Sequence, residues 1–183
     1  MIKIIFILLT SIILQADFLT VSQQKILNNV RSIARTMPDN RGVTYETTMA
    51  AICLRESSAE TKIVGDIAKG DTTIINASLG HMQVRVETAK YVADYNRRHK
   101  KKEFKSILEK NDLEIARKLL TDFNFSTRIA ITYFLINRNR FKRNGYFKAI
   151  SLYNGGIKNY EYVNKVLNNV KEIKKYVRLK EII

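Results

Sequence analysis

After residue 20 the apolar residues of this chain recur three and four positions apart, the period of one helix face, and Pro38 is its single proline. A sequence patterned in this way folds as packed helices. Residues 21–36 place Ile26, Val30, Ile33 and Ala34 on one side, and Pro38 with Gly42 ends that helix in a loop. A second helix is predicted to follow from Thr44, read as its N-cap. The pattern breaks over 59–78, where Ile63, Val64 and Ile67, then Thr72, Thr73, Ile74 and Ile75, flank the turn signal Lys69-Gly70-Asp71. A small β-hairpin or an irregular loop is expected there. Helical spacing returns over 86–95 with Val86, Ala89, Val92 and Ala93, and from Asp112 as N-cap with Leu113, Ala116 and Leu120. It continues over 126–141 with Ile129, Tyr133 and Ile136, and over 146–153, stopped by Asn154-Gly155-Gly156. The last helix is predicted over 160–180, with Val163, Val166, Val170, Ile173 and Val177 inside. No repeat, low-complexity linker or composition shift divides the chain. The expected fold is mainly α (α+β), one helical domain with a little β.

The 183 residues suffice for one domain with a real core and a removable leader. Lys3 precedes an apolar run from Ile4 to Leu14, broken by Thr10 and Ser11 and followed by the small Ala16. That run is too short for a bilayer, which needs about 20 residues, and suits the core of a signal peptide. Residues 1–16 are therefore expected to export residues 17–183 and to be removed after Ala16. Leu14 is large for a cleavage site, so a retained membrane anchor is the alternative. A lipid anchor is disfavoured because the sole cysteine is Cys53, which also forbids an intramolecular disulfide. Cys53 reads as a small apolar core residue, and two histidines with one cysteine fit no usual zinc spacing. No metal or cofactor is expected.

The formal charge of +15 falls to +14 without the leader, whose one charged residue is Lys3. Such a surface attracts anionic partners. Nucleic acid is set aside, since the basic residues are scattered and the leader exports them; a wall bearing peptide carboxylates or an anionic membrane face fits better. The densest run, Arg97-Arg98-His99-Lys100-Lys101-Lys102, reads as a solvated loop or helix end.

One acid stands in apolar company. Met49, Ile52, Cys53 and Glu56 share a helix face by their spacing. Partial burial disfavours an ionised carboxyl, so a glutamate placed there stays protonated near neutral pH and serves as a general acid. An ordinary glutamate at the edge of an amphipathic helix has the same spacing. Three downstream motifs bear on the choice: Leu79-Gly80-His81-Met82-Gln83-Val84, Leu152-Tyr153-Asn154-Gly155-Gly156, and Tyr162-Val163-Asn164-Lys165-Val166. Each alone has a plain structural reading. Met82 fills a core, Gln83 is an exposed polar residue, and Tyr-Asn-Gly-Gly is a helix stop.

In order after Arg55-Glu56-Ser57-Ser58, these motifs resemble the catalytic domain of the soluble-type lytic transglycosylases, glycoside hydrolase family 23, related in fold to goose-type lysozyme. The resemblance spans 44–166. It implies a lysozyme-like fold with Glu56 as the single catalytic acid/base, and with Ser57, Met82, Gln83, Tyr153, Asn154 and Tyr162 as substrate-contacting or pocket-lining positions. This chain departs from the family pattern in having His81 where leucine is usual, Ser151-Leu152 for Ala-Ala, and a longer segment between Ser57 and Gly80.

The residue types fit the chemistry. A glycosidic oxygen leaves well once protonated, which a carboxyl with a pKa near ~6 can do at neutrality. Hydrolases then need a second carboxylate to activate water. A lytic transglycosylase, as the resemblance implies, instead uses the muramic C6 hydroxyl as nucleophile and forms 1,6-anhydro ends in the periplasm. Its partners would be peptidoglycan strands, an envelope-spanning secretion apparatus if the cuts open a gap for one, and the membrane if the leader is retained. Two rivals stay open: a hydrolytic lysozyme using Asp66 or Asp71 as base, and a non-catalytic wall-binding subunit.

Overall fold

The computed structural model describes residues 19–61, 63–65, 73–141 and 144–182, with side chains through Tyr176. The expected leader, the Lys69–Asp71 turn, Asp66, Ile67, Thr72 and the side chain of Val177 lie outside the described residues.

Helix α1, Val21–Arg35, opens with a capping box in which Thr20 accepts from the amide of Gln23 and the Gln23 side chain answers to the Thr20 amide. Its buried side is Gln24, Leu27, Val30 and Ala34, rotated from the expected Ile26–Val30–Ile33 face; Ile26 and Ile33 pack at the margin. The following loop is tied by buried Asp39, which accepts from the amides of Arg41 and Val43, the Arg41 guanidinium and the Tyr45 hydroxyl. Burial alone would raise this carboxyl, but those donors hold it well below the usual range.

Helix α2, Glu46–Ser57, is the central element, packed mainly on α1 and on α7, Tyr160–Ile182. Thr48, Met49, Ala50, Ala51, Ile52 and Cys53 are all buried, so apolar surroundings enclose it nearly all round rather than along one stripe. The cap position is Tyr45, not Thr44, and Tyr45 makes no side-chain cap; the Thr44 hydroxyl bonds to the Glu46 carboxylate instead.

Strands β1, Val64–Gly65, and β2, Ser78–Leu79, form an antiparallel pair with Val64 opposite Leu79 and Gly65 opposite Ser78. The second strand therefore lies after the β-prone 72–75 run, whose end closes a turn through the Asn76 amide and the Thr73 carbonyl, 2.9 Å apart. Helix α3, Val86–Arg98, buries Val86, Ala89, Val92 and Ala93 as expected and runs one turn longer, ending in the exposed basic run. After a short 3-10 turn, Lys105–Glu109, helix α4 spans Asp112–Thr121.

Asn111, not Asp112, caps α4, because its amide oxygen reaches the Glu114 amide at 2.9 Å. The core side is Ile115, Ala116 and Leu119, while Leu113 is half exposed. Helix α5, Phe123–Arg140, begins before the expected Ser126 because Asp122 accepts from the Phe125 amide. Helix α6, Gly145–Tyr153, stops at Asn154, and α7 closes the fold. The described residues are mainly helical with a small two-stranded antiparallel sheet, and no described helix is long and apolar enough to cross a membrane.

Candidate active site

The last turn of α2 carries Glu56 out of the core and into a cleft of about 410 Å³. Met49, Ile52 and Cys53, which share its face, are fully buried, whereas Glu56 is partly exposed. Gln83, Tyr153 and Asn154 line the same cleft, so four of the residues singled out in the sequence meet at one place. Tyr162 reaches the site from α7 and donates its hydroxyl to Glu56 Oε1.

In its carboxylate form Glu56 acts on its neighbours. Burial, then the Glu56 charge, pushes the Tyr162 phenol far above its ordinary value, and the same two causes raise Tyr153. Burial pushes the Cys53 thiol up to about 12, with the Glu56 charge adding to it, so this cysteine is an inert core group. Both phenols therefore keep their protons through the neutral range and remain hydrogen-bond donors.

Gln83 is presented by a tight loop between Leu79 and Val84, which exchange backbone hydrogen bonds at 3.1 Å. Gly80 turns this loop with φ +68°, and a Cβ there would stand 2.8 Å from the Leu119 carbonyl oxygen. Three side chains clamp the loop. The Ser57 hydroxyl shares its proton between the carbonyls of Cys53 (3.1 Å) and His81 (2.8 Å). Tyr153 donates to the Met82 carbonyl at 2.8 Å. His81 stacks on Phe123 with ring centroids 3.9 Å apart, and its Nε2 lies 2.6 Å from Thr127 Oγ1.

Thr127 gives its own proton to the Phe123 carbonyl, so the His81 contact requires a proton on Nε2. Burial lowers this imidazole to about 4, which leaves it neutral. Gln83 then takes φ +48°, and its Nε2 donates to the carbonyls of Gly80 (2.8 Å) and Ile63 (3.3 Å).

Three assignments need correction. Met82 is 0% exposed, so its side chain is core and cannot touch a sugar; what it contributes is the carbonyl held by Tyr153. Ser57, 5% exposed, is a tie between α2 and the His81 carbonyl and not a substrate contact. Tyr162 is likewise buried and acts on the site through Glu56.

The turn after α6 is built by a residue the sequence left without a role. Buried Ser151 donates to the Gly156 carbonyl and accepts from the Asn159 amide. Asn159 in turn accepts from the Tyr162 amide and donates to Asn154 Oδ1 at 3.1 Å. With its oxygen engaged, Asn154 offers its NH2 group to a ligand.

Tyr133, Arg85 and Glu87 also line the cleft. Tyr133 has the helical spacing of a core residue beside Ile129 and Ile136, which concealed it. Among the described residues no group of His, Cys, Asp or Glu could hold a metal ion. No protein-family model, curated protein or solved structure matches this chain.

Proposed function

We propose that this protein is a peptidoglycan lytic transglycosylase, which breaks the β-1,4 bond between N-acetylmuramic acid and N-acetylglucosamine and leaves 1,6-anhydromuramic ends. The observation that supports it is the convergence of Glu56, Gln83, Tyr153 and Asn154 on one cleft, with Tyr162 fixing the carboxyl. In this mechanism protonated Glu56 gives its proton to the glycosidic oxygen as the C1–O bond breaks, and the 4-hydroxyl of N-acetylglucosamine leaves. The carbonyl of the muramic acetamido group, oriented by the Asn154 NH2, stabilises the positive charge at C1. The C6 hydroxyl then closes on C1 and returns its proton to Glu56, so no water is consumed and the acid is regenerated. A phenol can donate to a carboxylate and accept from a carboxylic acid, so Tyr162 serves both states.

The same reading places residues 17–183 in the periplasm on peptidoglycan strands, after export by residues 1–16. A hydrolytic alternative draws on Glu87, a second carboxylate lining the cleft, its Oε1 3.7 Å from Arg85 Nη1. Sacculi digested by the purified chain separate the two by mass. Anhydro ends are one water lighter than reducing ends and are the expected product; primary reducing ends would overturn the transglycosylase in favour of hydrolysis. Glu56→Gln is expected to fold normally and lose cleavage by roughly 10²- to 10⁴-fold. Substantial activity in that variant would remove Glu56 from the mechanism.

A further inference from the structure

We infer that the cleft continues over the wall formed by α3 and α5, where Tyr91 serves as an aromatic platform for sugars beyond those held beside Glu56. This extension rests on the glycan-cleaving reading. Tyr153 and Tyr133 both line the cleft, with ring centroids 6.1 Å apart and planes at 63°. Tyr133 meets Tyr91 edge to face, again with centroids at 6.1 Å, and Tyr91 is 38% exposed. Three rings in contact thus lead from the interior of the cleft to the surface. The polar tips of the inner two are engaged, Tyr153 with the Met82 carbonyl and Tyr133 with the Leu152 carbonyl at 3.3 Å, so their ring surfaces are what they offer.

Tyr91 stands one helical turn after Glu87, so α3 continues a cleft-lining face outward. A pyranose ring has an apolar face of C–H groups and an edge of hydroxyls. The first suits an aromatic ring, and the second suits an exposed carboxylate such as Glu87. A cleft of about 410 Å³ holds a short piece of a polymer, which must leave over one of the walls. Among the described residues, the α3–α5 wall carries a ring, Tyr91, that touches the cleft lining and is open to solvent.

The experiment uses the full chain with Glu56→Gln, to prevent turnover, and chito-oligosaccharides of three and six sugars as probes, titrated by calorimetry. With Tyr91 present, the hexamer is expected to bind about five- to tenfold more tightly than the trimer. Adding Tyr91→Ala should shrink that ratio to about twofold or less, and Tyr91→Phe should keep it. Tyr91→Leu, an apolar side chain without a ring, gives the same test should alanine unfold the protein, and it should also lose the ratio.

A ratio unaffected by Ala or Leu overturns the platform, as does failure of either oligomer to bind. If the ratio depends on Tyr91 while the chain with Glu56 intact forms no anhydro ends, the platform stands and the catalytic reading falls. If anhydro ends form and the ratio ignores Tyr91, the platform alone falls.

Discussion

At the scale of single residues, the site depends on polar groups whose burial fixes one protonation state. His81 is the clearest case, since the resembled family usually has leucine at this position and the imidazole here is packed against Phe123 and bonded to Thr127. An unfolded histidine takes a proton near pH 6.5, whereas burial delays this one to about 4. The folded state is the one that resists the proton, so the contribution is complete above about 6.5 and is lost as pH falls toward 4, by up to about 3 kcal/mol. His81→Leu removes that loss while keeping the apolar contact. Urea midpoints measured from pH 7 to 4 should therefore fall more steeply for the wild type than for the variant. Parallel curves would show that His81 does not titrate with unfolding.

At the scale of elements, the smallest one aims the amide that faces the cleft. Gly65 on β1 leaves room for the Gln83 side chain, and a Cβ there would collide with Gln83 Oε1. Gly65→Ala should displace the amide from the carbonyls of Ile63 and Gly80, raising KM on peptidoglycan about tenfold and changing the melting temperature little. Gly156→Ala, whose Cβ meets nothing within 4 Å, is the matched control and should behave as wild type. Equal kinetics in the two variants would show that the Gln83 orientation is unimportant. The hairpin was legible as a β-prone break after α2, but its second strand was not. Thr73, Ile74 and Ile75 carry β-branched side chains, yet the described pairing with β1 is at Ser78–Leu79, because the clamped Gly80–Gln83 loop fixes the chain immediately after them. Helix starts shifted for a similar reason: Asn111, not Asp112, caps α4 and Asp122 starts α5 ahead of Ser126, each by reaching the amide three residues ahead.

At the scale of the whole molecule, the +15 charge is independent of the cleft and should govern how the protein stays on its substrate. The Arg97–Lys102 run is exposed at the end of α3, and Arg97 and Arg98 pair with Asp94 on the same helix. Exposed charges of this kind are screened within about 8 Å at physiological salt and more strongly above it. The Glu56→Gln protein should sediment with purified sacculi at low ionic strength and be released as salt rises toward about 0.5 M. Retention at high salt would assign the adhesion to the cleft and its neighbouring rings rather than to charge.

The sequence by itself determined the helical frame, the stop at Asn154–Gly156 and the acid that interrupts an apolar face, because these follow from spacing and from local backbone preference. It could not say which side of a shared face would meet solvent. Ser57 and Met82 turned inward while Tyr133 turned toward the cleft, since each orientation depends on the helix packed against it. Only tertiary packing brought Tyr162 to Glu56, 106 positions earlier in the chain, where α2 and α7 cross. A hydrogen bond of that kind leaves no periodic mark, because its two ends share neither a turn nor a helix.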